Sequence, residues 1–116
     1  MTVRELADIL EARQISQGDA ARDISGGMVC DVMSLSLARG FGGMAWVCQR
    51  TDINALAVAV MTDAACVVFA ECMQIDEELA KRANAEKINV LMTSKSAFEV
   101  VGQMYASGIR AERSRK

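Results

Sequence analysis

Four short clusters hold the residues able to do chemistry: Cys30-Asp31 with Ser34, Cys48-Gln49-Arg50-Thr51-Asp52, Ala70-Glu71-Cys72-Met73-Gln74 and Thr93-Ser94-Lys95-Ser96. The second and fourth are the richest. Each joins hydroxyls able to cap a helix to one cation, Arg50 or Lys95, placed where an anion would lie. That combination suits a phosphate or a nucleotide, and Thr and Ser at such positions are also ordinary N-caps. The candidate ligand-binding set is therefore Asp31, Arg50, Thr51, Asn54, Thr93, Ser94 and Lys95. In it the two cations supply charge, hydroxyls and helix amides orient phosphate, and Asn54 reads a polar edge. Asp31, Asp52 and Glu71 could together hold a divalent ion, but an aspartate in the first turn of a helix is favoured by the dipole. A structural role is the expectation for them.

Catalytic chemistry finds little support. The chain has no histidine, which removes Ser-His-Asp and Cys-His catalysis, imidazole metal sites and the commonest general base. Gly26-Gly27 and Gly40-Phe41-Gly42-Gly43 match neither G-x-x-x-x-G-K-[ST] nor a G-x-G-x-x-G turn between strand and helix. Turn chemistry explains both. No catalytic residue, metal or cofactor is expected. The four cysteines, Cys30, Cys48, Cys66 and Cys72, form no C-x-x-C pair, and three lie inside apolar runs. They read as small buried hydrophobes, with a metal or cluster role for Cys30, Cys48 and Cys72 as the weaker alternative.

These clusters sit at the ends of regular elements. Short apolar runs alternate with helical periods: 28–30 then 32–39, 44–48 then 52–62, 65–70 then 76–86, 88–92 then 95–107. Strands without polar alternation belong in a sheet covered on both faces, and strand–helix alternation implies right-handed parallel crossovers. The expected fold is a three-layer α/β open sheet, mostly parallel, with helices on both faces. Before it, residues 3–11 form an amphipathic helix with Val3, Leu6, Ala7 and Leu10 inward, opened by a Thr2–Glu5 capping box. A short strand follows near Gln14-Ile15-Ser16.

Three helices carry further expectations. Helix 52–62 has a core stripe of Ile53, Leu56, Ala57, Val60 and Met61, yet its back carries Ala55, Val58 and Ala59. A helix without a polar back is covered on two sides, so Ala55, Val58 and Ala59 are the candidate interface of a homodimer. Cover by the N-terminal segment is the alternative. Helix 76–86 has a solvated face with Glu77–Lys81 and Glu78–Arg82 pairs, and Leu79 and Ala83 inward. Helix 95–107 packs Phe98, Val101, Gly102 and Tyr105 on one stripe and stops at Gly108.

With 116 residues, 52% hydrophobic and 24% charged, the chain has the size and balance of one globular domain rather than a disordered segment. The domain is expected over 1–109. Residues 110–116 carry four positive charges and one negative and read as a frayed basic tail. The net charge of −2 argues against a dedicated nucleic-acid binder. No stretch approaches the ~18 apolar residues of a membrane span, and the N-terminus has no apolar signal core, so a cytoplasmic location is expected.

The segments Gly27-Met-Val-Cys-Asp-Val-Met-Ser, Gln49-Arg-Thr-Asp-Ile-Asn-Ala-Leu-Ala-Val-Ala and Ser96-Ala-Phe-Glu-Val-Val-Gly-Gln-Met-Tyr resemble the DRTGG domain family over about residues 3–109. The literal Asp-Arg-Thr-Gly-Gly string is absent. The resemblance implies a regulatory or dimerising domain, similar in fold to the amino-terminal domain of HPr kinase/phosphorylase and without that enzyme's P-loop kinase domain. Similar domains accompany CBS modules in a pyrophosphatase, and stand-alone members are often encoded near iron-hydrogenase genes. The expected function is thus a non-catalytic ligand-sensing and dimerisation module that takes a nucleotide or phosphate ligand. The alternative is a pure interaction or accessory subunit for a partner enzyme, with no small-molecule ligand.

Overall fold

The structure, a computed structural model, describes residues 1–16 and 18–111. Ten elements follow in order: α1 (Val3–Leu10), β1 (Arg13–Gln14), β2 (Gly26–Val29), α2 (Met33–Arg39), β3 (Met44–Cys48), α3 (Asn54–Thr62), β4 (Cys66–Phe69), α4 (Glu77–Ala85), β5 (Val90–Met92) and α5 (Ala97–Ala106). They build one five-stranded sheet in the order β1-β5-β4-β3-β2. β2 through β5 run parallel, and β1 joins β5 antiparallel. Every residue of β3, β4 and β5 is buried, as a sheet sandwiched between helices demands.

Strand order decides where the helices go. Each step from β2 to β5 adds a strand on the same side of the last, so right-handed crossovers put α2, α3 and α4 on one face. There Leu56, Ala59, Leu79 and Ala83 pack against Trp46, Val67, Phe69 and Val90. The opposite face is left to the two chain ends. On it α1 (Val3, Leu6, Leu10) and α5 (Val100, Met104) cover Ala45, Val47, Val68 and Leu91. Three helices therefore lie on one side and two on the other. The edge strand β2 is the poorly covered one, with Val29 53% exposed.

Local chemistry explains the ends. Thr2 and Glu5 form the expected capping box at α1, with Thr2 Oγ1 accepting the Glu5 N–H at 3.2 Å. Gly40 closes α2 where a Cβ would meet the Thr62 methyl of α3 at 2.5 Å, so only glycine lets the two helices approach there. On α4 the ion pair formed is Arg82–Glu86 at 3.8 Å, in place of the expected Glu78–Arg82. No helix among the described residues is long and apolar enough to cross a membrane.

Two helices are rotated from expectation. In α3 it is Ala55, Leu56, Val58 and Ala59 that are buried, while Val60 and Met61 face solvent. Ala55, Val58 and Ala59 thus belong to the chain's own core and are not a dimer interface. The small alanines let α3 sit close on the sheet. In α5 the buried residues are Val100 and Met104, and the expected inward stripe of Phe98, Val101, Gly102 and Tyr105 is the outer face. Both helices are apolar around most of their circumference, so periodicity carried no sign of which face turns in.

The domain also reaches past 109. The Arg110 carbonyl accepts the Gly27 N–H at 2.9 Å, and its guanidinium stacks 3.7 Å from the Tyr105 ring centroid. Arg110 is therefore docked rather than frayed. The rest of the expected tail, 112–116, lies outside the described residues.

Candidate functional site

The carboxyl ends of the strands bring most of the candidate residues to one edge. Trp46, wholly buried in β3, donates its indole N–H to the Cys30 carbonyl at 2.9 Å and so holds the loop after β2. From that loop Asp31 Oδ1 accepts the backbone N–H groups of Gln49 at 2.6 Å and Arg50 at 3.1 Å. Asp52 Oδ1 accepts the Asn54 N–H at 2.9 Å at the start of α3. Glu71, in the left-handed region at φ 54°, accepts from Gln49 Nε2 at 2.5 Å and from the Ala97 N–H at 3.4 Å. All three acids thus orient loops and helix ends. Among the described residues no three acids or thiols gather closely enough to hold a metal ion.

In open α/β sheets, ligands favour the crevice where neighbouring strands send their helices to opposite faces. Here that point lies between β4, which leads to α4, and β5, which leads to α5. The two loops close it themselves. Glu71 N–H reaches the Lys95 carbonyl at 2.8 Å, and Cys72 N–H reaches the Thr93 carbonyl at 2.9 Å. Thr93 is buried, and its hydroxyl accepts the Lys95 N–H at 3.2 Å.

Lys95 leaves the candidate set as an anion ligand. Its ammonium lies 3.2 Å from Glu11 Oε1 and 3.2 Å from Gln103 Oε1, only 20% exposed, clipping the end of α1 to α5. An ion pair already formed in a crowded place holds the cation away from the rim. Ser94 is exposed beside it, while Ser96 caps α5 by accepting the Glu99 N–H at 3.1 Å. What remains at the rim is Arg50-Thr51 in front of α3. Both side chains are exposed and without a partner among the described residues. No side chain of the N-cap residue, Ile53, caps that helix, and Asn54 is exposed at its first turn.

The thiols are placed for packing. Burial pushes the Cys66 thiol up to about 12, and burial together with the nearby Asp31 carboxylate raises that of Cys48 further. Both stay protonated at neutral pH and are poor nucleophiles. Cys30 alone is partly exposed. A separate, largely apolar cavity of about 220 Å³ opens between β2 and α5, walled by Val29, Val47, Val101, Met104 and Tyr105. Sequence reasoning missed it because the expected rotation of α5 would have filled it.

The architecture matches a solved structure described as the CBS and DRTGG domains of the regulatory region of Clostridium perfringens pyrophosphatase, complexed with the activator diadenosine tetraphosphate. The TM-score is 0.65 at 14% identity over 89% of this chain. The fold is DRTGG-like. At that identity the likeness is one of fold, and the chain spans 45% of the matched structure, about half its length. No family model matches the sequence, and no curated protein does. The DRTGG-like fold agrees with the expected three-layer sheet in strand direction, layers and helix placement.

Proposed function

We propose that the chain is a non-catalytic regulatory domain that works as a homodimer and senses an anionic ligand, a nucleotide or another phosphate compound, at the Arg50-Thr51 rim. The observation that carries this reading is Arg50 itself. It is an exposed cation whose side chain has no partner among the described residues, just ahead of α3. A phosphate there gains the Arg50 charge and the positive end of the α3 dipole, while the Asn54, Ala55 and Leu56 amides are already answered by Asp52 and Ile53. The shared fold supports the regulatory part, since the matched region is itself regulatory and was solved with a nucleotide activator. The non-catalytic part is supported by the three carboxylates of this edge, Asp31, Asp52 and Glu71, each of which accepts a backbone N–H.

Thermal unfolding with ATP, ADP, AMP and adenine dinucleotides, each with and without Mg²⁺, tests the ligand. A compound at one hundred times its dissociation constant stabilises by about 2.7 kcal/mol, a shift of several degrees in a domain of this size. A selective shift lost in Arg50→Ala supports the rim, and a flat panel removes it.

A second reading, an interaction module for a partner enzyme, is favoured by the apolar groups left outside: Phe98 is 91% exposed, Met73 80% and Met61 69%. A flat nucleotide panel together with a stable heterocomplex would select it.

A further inference from the structure

We infer that the outer face of α5 is a two-fold interface between copies of this chain, the two α5 helices packing antiparallel and crossing at Val101-Gly102. The inference rests on the homodimer in the proposed function and assigns it a surface. Phe98, Val101, Gly102 and Tyr105 follow the i, i+3, i+4, i+7 spacing of a single helix stripe, and all four face solvent. Phe98 is 91% exposed and Tyr105 60%.

No contact among the described residues explains Gly102. It sits in the middle of an exposed helix face, where glycine is a poor helix former, and beyond its chain neighbours and its own helix backbone no described atom lies within 4 Å of the place a Cβ would take. No contact among the described residues calls for a missing side chain. A second backbone approaching that face would call for it.

Three features point to a second copy rather than a different protein. An isologous interface must complement itself, so it needs a projection and a recess on the same surface. The projection is Phe98, and the recess is the 220 Å³ apolar cavity walled by Val29, Val47, Val101, Met104 and Tyr105. Phe98 stands three residues before Val101, and Tyr105 three residues after Gly102. An antiparallel crossing centred between Val101 and Gly102 therefore carries Phe98 of each copy to the Tyr105 end of the other, where the cavity opens. Charge agrees with the same orientation. Glu99 marks the first turn of α5 and Arg110 the segment after its last, so antiparallel pairing sets the acidic end of one copy at the basic end of its mate. The cavity exists because β2 lacks a third covering helix on this face. The mate's α5 supplies that cover.

Sedimentation velocity on the full chain over a wide concentration range, with Phe98→Glu alongside, is the first test. The expected result is a dimer whose dissociation constant rises about ten-fold or more in the variant, with an unchanged circular dichroism spectrum. Gly102→Cys is the second test. Beside a two-fold axis, the new thiol should bond to its own copy in the mate under mild oxidation, while the parent chain with its native cysteines should not cross-link. A dimer indifferent to Phe98→Glu, or a Gly102→Cys chain that fails to cross-link, overturns the α5 interface and leaves the homodimer standing. A chain monomeric throughout overturns both, and the nucleotide panel then judges ligand sensing separately.

Discussion

Asp31 Oδ1 and the backbone N–H of Gln49 stand 2.6 Å apart, tying the loop after β2 to the loop after β3. The same oxygen takes the Arg50 N–H, so one carboxylate sets the start of the rim that presents Arg50 and Thr51. A charged acceptor serving two amides is worth more than a neutral one. Asp31→Ala should therefore lower stability by about 1–2 kcal/mol, read from the urea midpoint at constant slope. An unchanged midpoint would mean water replaces the carboxylate without loss.

The two cations of the candidate set should now behave differently. Arg50→Ala should abolish the nucleotide-dependent thermal shift and leave the unliganded melting temperature nearly constant, because Arg50 is exposed. Lys95→Met should do the reverse. It breaks the contacts with Glu11 and Gln103 and lowers stability by less than about 1 kcal/mol, since Glu11 is 80% exposed. Nucleotide affinity should survive that change. Titration calorimetry on both variants checks the pair, and a loss of binding in Lys95→Met would return that residue to the site.

Acid should weaken the contact between the loop before β2 and the end of α3. A hydrogen bond and the charge of Arg22 hold the Asp63 carboxyl below the usual carboxylate range, with the ion pair at 3.0 Å. A depressed pKa means the unfolded chain takes up the proton first as pH falls. The contribution is thus fully present above about pH 4 and is lost below it, as pH passes through the folded value. Asp63 is 74% exposed, so solvent screens the pair and its effect is small. Arg22→Met should narrow the difference between urea midpoints at pH 7 and pH 3, and an unaltered difference would exclude the pair as a source of acid sensitivity.

Thiol labelling should sort the cysteines by burial. Cys30, partly exposed, should react with an aromatic disulfide reagent in the native state. Cys66, buried and raised to about 12, should react only on unfolding, at a rate that follows global opening. Cys48 and Cys72 are buried and should follow Cys66. Four fast thiols in the native protein would contradict the packing of β3 and β4.

Much of the architecture was legible in the residues themselves. Runs such as Met44-Ala45-Trp46-Val47-Cys48 lack polar alternation, and only a strand covered on both faces satisfies them. Thr2 and Glu5 marked the start of α1 because their side chains answer its free amides locally. The inward faces of α1 and α4 were legible for a related reason: each has a charged back, so Leu6 and Leu79 had one way to turn. Asp52 read as a structural acid from its place at a helix start, and its bond to the Asn54 N–H agrees. Asp31, expected in the first turn of a helix and in the ligand set, lies before α2 and instead answers the amides of the loop after β3.

Tertiary structure alone decided the rest. A helix apolar on several sides carries no local preference for its rotation, so α3 buried Val58 and exposed Met61, and α5 turned Phe98 out, according to what the sheet and neighbouring helices could accept. The partner of Lys95 was likewise a long-range matter, since Glu11 reaches it only after α1 and α5 pack side by side on one face. The uncovered flank of β2 follows from the direction in which the strands were added, which no local pattern encodes. Periodicity orients an element only where its faces differ in polarity; where they do not, shape and topology choose, and in this chain they chose the surface that carries Gly102.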